Sequence, residues 1–272
     1  MNAVILTAAV LGVLGLACGV ALAVVAKRFA VPENPVAEAV LRVLPGANCG
    51  GCGHPGCDGY ARAVADGSAP LNLCTSCDAA MLAALERITG RSGGEVQERR
   101  VALVRCGGDR DAATRRFDYN GIEDCAAAQA TAGGDKTCPY GCLGYGSCVR
   151  VCPVGAIAVE NGVARVDPSR CIGCGVCARV CPRGVITLVP AGRPVHVLCA
   201  SRDKGPAVRS YCRKGCLGCG LCARLDKSGA FTVQDNLAAV TGEFSGDISI
   251  ISQKCPGKCI SLSSSADPLP CA

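Results

Sequence analysis

Hydrophobic residues recur along this chain with several different periods. Val4 to Ala26 is an almost unbroken apolar run, and no charge falls between Asn2 and Ala26. As a helix, such a run rises about 35 Å, enough to cross a bilayer core. After a short linker marked by Pro32 and Pro35, apolar Val36, Val40, Val43 and Leu44 predict one or two amphipathic turns. Asp58 to Asp66 reads as a helix of small residues ended by Gly67, and Ala79 to Thr89 as a helix stopped by Gly90. Arg91 to Arg100 is polar and Gly-rich, a domain boundary. Beyond it the period shortens. Val101 to Val104 is strand-like, and the pairs Ala156-Ile157 and Val185-Ile186 start further short strands. The pattern is α+β: one apolar helix, a small helical module, then short strands and turns.

Charge orients the first helix. Lys27 and Arg28 follow the apolar run at once, and no side-chain charge precedes it. A signal peptide would carry positive charge ahead of its apolar region and a small-residue cleavage site after it. A membrane anchor is the better reading. The positive pair then places everything after Lys27 on the cytoplasmic side. The expectation is a single-pass protein of the inner (cytoplasmic) membrane, with lipid as one partner. Gly15 and Gly19 would let another helix approach closely, although glycine is common in such helices. Cys18 reads as a small apolar residue within the span.

Composition changes the picture further. The chain has 272 residues, 24 of them Cys, and no Trp. So few large apolar side chains leave the small domains needing cross-links or metal clusters. A disulfide framework needs an oxidising compartment, and its Cys are not usually set two apart before Pro. The net charge of +6 is mild, and no aromatic-interleaved basic stripe points to nucleic acid.

The cysteine spacing is specific. Cys171-x2-Cys174-x2-Cys177-x3-Cys181-Pro182 has the bacterial ferredoxin spacing, in which three thiolates hold one [4Fe-4S] cube and the fourth reaches to the other. The crossing rule puts Cys152 with Cys171, Cys174 and Cys177. The second cube then takes Cys181 with Cys138, Cys142 and Cys148. Tyr145 occupies the regular middle position, so Cys138 must supply the third thiolate. Upstream, Cys49-x2-Cys52-x4-Cys57 lies among Gly50, Gly51, Gly53 and Gly56, with Cys74 or Cys77 as a fourth ligand. Glycine lets the backbone approach a bulky inorganic group. Four Cys would also suit structural zinc, but the glycine density favours iron–sulfur. His54 reads equally well as a donor to sulfur or a solvated loop residue.

The module repeats. A shift of 74 residues carries Cys138, Cys142, Cys148 and Cys181 onto Cys212, Cys216, Cys222 and Cys255. The same shift carries Cys152, Cys171, Cys174 and Cys177 onto Asp226, Ser245, Ile248 and Ile251. Those four are one cube's ligands, lost together. The second copy is therefore expected to keep one cube, on Cys216, Cys219, Cys222 and Cys255, with Cys212 able to stand in for Cys219. Ile248 and Ile251 fill the vacated space. Cys106, Cys125, Cys199 and Cys212 remain, and could hold one more cube. Cys259 and Cys271 are left as free thiols, and His196 as a packed histidine. The total is about four [4Fe-4S] clusters, or five if the leftover set is real.

The order of apolar helix, Cys-Gly-Gly-Cys-Gly-x-x-Gly-Cys module and polyferredoxin resembles the B subunit of the Rnf complex, the membrane-bound ferredoxin:NAD oxidoreductase that couples electron flow to Na⁺ or H⁺ translocation. The stretches Val104-Arg-Cys-Gly, Glu123-Asp-Cys-Ala-Ala, Cys138-Pro-Tyr-Gly-Cys-Leu-Gly and Lys254-Cys-Pro-Gly-Lys-Cys-Ile look like its longer form. The resemblance maps the first cluster onto Cys49, Cys52, Cys57 and Cys74, which sets Cys77 aside. It implies a transmembrane anchor (1–28), a [4Fe-4S] module (32–90), a connector (91–135), a two-cluster ferredoxin domain (136–190) and a ferredoxin-like domain with one cluster lost (191–265). It also implies soluble ferredoxin and flavin- and NAD-binding subunits as partners. The chain carries no nucleotide-binding glycine fingerprint and no acid/base constellation, so no bond chemistry of its own is expected. The rivals are an electron-transfer subunit of another membrane complex, such as a hydrogenase or reductase, and a non-redox zinc or scaffold protein.

Overall fold

The computed structural model describes residues 2–29, 34–244, 246 and 248–262. The linker at Pro32, Ser245 and Cys271 lie outside the described residues. Helix α1 (Asn2–Arg28) is apolar all round and ends in Lys27 and Arg28. Its segment Ile5–Arg28 is long and apolar enough to cross a membrane, and none of it is buried against the rest of the protein.

A three-helix module follows. In α2 (Pro35–Val43), Asn34 caps the first turn by accepting from Val36 N at 3.0 Å. α3 is Gly56–Ala65 and α4 is Ala79–Thr89. Asp78 caps α4 through Met81 N at 2.7 Å, and Gly90 ends it in the left-handed region. Caps of this kind contribute about 1 kcal/mol each. Val40, Tyr60, Val64, Leu71 and Leu85 form the core of the module and are almost fully buried.

The remaining chain is two similar units. The first holds β1 (Arg100–Val104), α5 (Cys125–Ala130), α6 (Ser147–Arg150), β2 (Ile157–Glu160), β3 (Val163–Val166), α7 (Val176–Val180) and β4 (Ile186–Pro190). The second holds β5 (Val195–Val197), α8 (Gly205–Tyr211), α9 (Leu221–Leu225), β6 (Phe231–Gln234), β7 (Leu237–Val240), α10 (Ile248–Lys254) and β8 (Ile260–Leu262). Each unit has two antiparallel ribbons, β1 with β4 and β2 with β3, then β5 with β8 and β6 with β7. The residues expected to form a connector are part of the first unit. β1 completes a ribbon there, because Val101, Ala102 and Val104 have an apolar face to bury against Ile186 and Val189. Val104 pairs with Ile186 and Val197 with Ile260, which makes β1 and β5 equivalent elements of the two copies.

Candidate functional site

The thiols gather in sets, and the backbone that places them is specific. Cys49, Cys52, Cys57 and Cys74 line one cavity with Tyr60 and Ile172. Asn48, at φ +48°, turns its Oδ1 to accept from Cys57 N at 2.8 Å and closes the Gly-rich loop. A Cβ at Gly56 would come within 2.9 Å of that oxygen. Tyr60 donates to Pro70 O at 2.8 Å and accepts from Leu73 N at 3.3 Å, which fixes the approach to Cys74. Its burial pushes the phenol up to about 12, so it stays a donor. Cys77 lies in the helical core instead. The His54 ring packs against Tyr60, with ring centres 5.4 Å apart.

Cys152, Cys171, Cys174 and Cys177 form the next set. Burial, then the thiols of Cys171 and Cys174 and, more weakly, Cys152, push Cys177 up to about 11. Ala102 N, from β1, lies 3.4 Å from the Cys171 sulfur, and Ala156 N lies 3.3 Å from that of Cys152. The first two sets touch. A Cβ on Gly51 would stand 3.1 Å from both Cα and O of Cys174, so a side chain there would push the loops apart by a few tenths of an ångström.

The third set differs from the expected one. Burial, followed by the neighbouring thiols of Cys142, Cys125, Cys177 and Cys181, pushes Cys148 up to about 12. Cys138 is not among these neighbours. It lines another cavity with Cys106, Cys199 and Cys212. The expected groupings exchange one member: Cys125 joins Cys142, Cys148 and Cys181, and Cys138 takes its place beside Cys106, Cys199 and Cys212. The physical reason is the start of α5. Asp124 caps that helix through Ala126 N and Ala127 N, accepts from Ser147 Oγ at 2.7 Å and pairs with Arg150 at 2.5 Å. Ser147 Oγ in turn accepts from Cys125 N at 2.7 Å. This clamp holds Cys125 against α6, which carries Cys148. Asp124 was visible only as a neighbour of Cys125, and its partners at 147 and 150 are far away in sequence.

In the second copy, Cys216, Cys219, Cys222 and Cys255 line one cavity with Ile251. Cys219 is exposed, and Ala238 N lies 3.4 Å from the Cys216 sulfur. Cys259, expected to be free, is buried in the same wall with its sulfur 3.8 Å from that of Cys255. It follows Cys255-Pro-Gly-Lys, a turn that brings the chain back on itself, with Lys258 N bonded to Cys255 O at 3.1 Å. Ile251 is 3% exposed in the core of the second copy, and Ile248 packs against that core, partly buried.

These arrangements suit a polynuclear group better than a single ion. A tetrahedral zinc site with sulfur at about 2.3 Å would bring its thiols within about 4 Å of one another. Among the described residues no three His, Cys, Asp or Glu side chains form such a group. The thiols instead ring separate cavities, each walled by two or more loops.

Comparison with known proteins agrees. Residues 44–76 match the family model described as "Putative Fe-S cluster", and residues 164–187 match the "4Fe-4S binding domain". Over 242 residues the chain is 51% identical to the B subunit of the proton-translocating ferredoxin:NAD(+) oxidoreductase complex of Clostridium ljungdahlii, covering 88% of this chain and 85% of that one. It is 42% identical over 262 residues to the B subunit of the Na(+)-translocating ferredoxin:NAD(+) oxidoreductase complex of Acetobacterium woodii, covering 96% and 78%. The chain belongs to the family of B subunits of the Rnf complex. A third member, the B subunit of the ion-translocating oxidoreductase complex of Methanosarcina acetivorans, is 39% identical over 93% of this chain and 96% of its own length. The two family models cover the first thiol module and part of the first copy, so [4Fe-4S] clusters belong to the chain. The second copy lies outside both matches.

Proposed function

We propose that this chain is the membrane-anchored iron–sulfur subunit that relays electrons from reduced ferredoxin into an ion-translocating oxidoreductase. Its own thiols would hold four cubes: on Cys49, Cys52, Cys57 and Cys74; on Cys152, Cys171, Cys174 and Cys177; on Cys125, Cys142, Cys148 and Cys181; and on Cys216, Cys219, Cys222 and Cys255. A bound [4Fe-4S] cube supplies reversible one-electron exchange at low potential. The protein's part is to place these groups in a row, to exclude water from them and to donate amides to their sulfur ligands.

The contact of Gly51 with Cys174 carries this reading, because it joins the module next to the membrane helix directly to the ferredoxin unit. Electron transfer falls steeply with distance, and a scaffold with no such task has no need of that contact. The pair Lys27 and Arg28 at the end of α1 supports placing the rest of the chain on the cytoplasmic side, where soluble ferredoxin is found. Relatives carry both Na(+)- and proton-translocating in their names, so the choice of ion belongs to the partner subunits.

The test is anaerobic purification of the full chain in detergent, followed by a visible spectrum with and without chemically reduced ferredoxin. A brown protein whose broad band bleaches on adding the ferredoxin is expected. A colourless, zinc-loaded protein would sink the reading.

A further inference from the structure

We propose that Cys106, Cys138, Cys199 and Cys212 form a further [4Fe-4S] site, shared between the two ferredoxin-like copies. The inference rests on the iron–sulfur reading above and adds a site outside both matched family models.

The four residues are 7–8% exposed and line one cavity. They come from four separate segments, in two equivalent pairs. Cys106 and Cys199 each stand two residues beyond equivalent strands, β1 and β5. Cys138 and Cys212 correspond by the 74-residue shift. Each copy therefore contributes one thiol after its strand and one ahead of its ferredoxin motif. Backbone hydrogen bonds seam the copies together around the cavity: Gly107 N to Leu198 O at 2.9 Å, Thr114 N to Tyr211 O at 2.9 Å and Arg213 N to Ala112 O at 2.8 Å.

The walls fit an anionic, bulky group. A Cβ on Gly108 would meet the Cys212 sulfur at 3.1 Å and lie 3.8 Å from that of Cys106, so a side chain there would crowd the space between them. Lys136 is 4% exposed, and its Nζ donates to Gly108 O at 2.6 Å and Cys142 O at 2.7 Å. Among the described residues it makes no ion pair with a carboxylate, and a buried ammonium is costly unless negative charge lies nearby. Here it bridges the backbone of two thiol loops, each of which would surround an anionic cluster.

Position gives the site a purpose. Cys106 packs in the core of the first copy with Cys142, and Cys199 packs in the core of the second with Cys216. Cys138 and Cys212 meet between them, beside Ala113, Val208 and Tyr211. The site lies between the thiol set of Cys142 and that of Cys216, and it makes a continuous row from the membrane module to the far copy.

The experiment is native mass spectrometry and iron analysis on the anaerobically prepared full chain and on Cys138→Ser, Cys212→Ser and the double variant. The wild type should reach about twenty irons in its heaviest species, at four per cube. Each single variant should lose about four, and the double variant the same four. Loss of about eight in the double variant, or none in Cys138→Ser, would overturn the shared site. So would a wild-type ceiling of about sixteen irons, or one zinc ion on the wild type, and these two results need no variant to fold. A wild type with no iron at all would instead sink the iron–sulfur reading itself.

Discussion

The two ferredoxin-like copies handle the same loops in opposite ways. In the first, the Cys152 sulfur accepts from Ala156 N at 3.3 Å. In the second, Asp226 stands at that position, and its carboxylate accepts from Phe231 N at 2.9 Å, Ser228 N at 2.9 Å and Ser228 Oγ at 2.5 Å. An anionic acceptor is kept while the ligand is lost. Ile251 stands at the position that the 74-residue shift gives Cys177, and it is buried in the apolar core of the second copy. At the middle of the surviving motif the difference reverses. The second copy has Cys219, and the first has Tyr145, covered edge-on by Tyr119 at 5.1 Å. Thirty-two positions separate Cys106 from Cys138, but only thirteen separate Cys199 from Cys212. The extra length carries Tyr119, Asp124 and Cys125. A missing thiol in the motif and an added thiol in the insertion are two sides of one exchange.

That exchange gives the largest expected effect. Cys125→Ser should remove one whole cube, about four irons per chain. Adding Tyr145→Cys to the same variant should restore them, because the second copy supplies its thiol from that position without the insertion. Iron analysis on both proteins reads the result. Full iron in Cys125→Ser would return the third ligand to Cys138. Failure of the rescue alone would mean that Tyr119 holds the loop in a shape a cysteine cannot use.

Much of this was legible in the sequence because cluster ligation is written in short spacings. The x2 intervals, the Cys-Pro pairs and the 74-residue shift grouped Cys171, Cys174 and Cys177, and Cys216, Cys219, Cys222 and Cys255, as thiols that the fold also brings near one another. The helices at 35–43, 56–65 and 79–89 followed from caps, glycine stops and apolar period. What could not be read were contacts between distant segments. Cys125 and Cys138 are both lone thiols ahead of the motif, and nothing local distinguishes them. Only the Asp124–Ser147–Arg150 clamp does so, and it joins residues 23 and 26 positions apart. The strand β1 was legible, but not its membership of the first copy, since its partner β4 comes more than eighty residues later. Lys136 gave no signal, because a lone lysine in a polar stretch normally lies in solvent.

The next effect tests whether Asp226 is a structural replacement for a ligand. Asp226→Cys should add no iron, since Ile248 and Ile251 still stand where two thiols would be needed. It should cost about 2 kcal/mol through the amides left with a poorer acceptor. Faster hydrogen exchange at Phe231 N, with that at Ala156 N unchanged, would report the loss locally. Burial raises the Asp226 carboxyl, but hydrogen bonds from Ser228 and Phe231 outweigh it and hold the group below the usual carboxylate range. Its stabilising contribution is therefore full above about pH 4 and fades as the pH falls through the lowered value. A gain of iron in Asp226→Cys would show that the second cube was never fully closed out.

The smallest effect concerns Cys259, whose counterpart in the first copy is the buried Val185. Cys259 lines the same cavity as two ligands, Cys216 and Cys255, with its sulfur 3.8 Å from that of Cys255. Sharing a hydrogen with Cys259 pulls the thiols of Cys216 and Cys255 down, while that of Cys259 is driven far up by both neighbours. A neutral donor against two thiolates favours the more negatively charged state of whatever they hold, and so raises its reduction potential. Cys259→Val should keep every iron and lower the potential of the second copy's cube alone. Val185→Cys should raise the potential of the cube on Cys125, Cys142, Cys148 and Cys181. Redox titration followed by electron paramagnetic resonance separates the two. If Cys259→Val costs four irons, Cys259 is a ligand and the exposed Cys219 is the spare. The two copies would then differ in how they close the cube, as well as in how its potential is set.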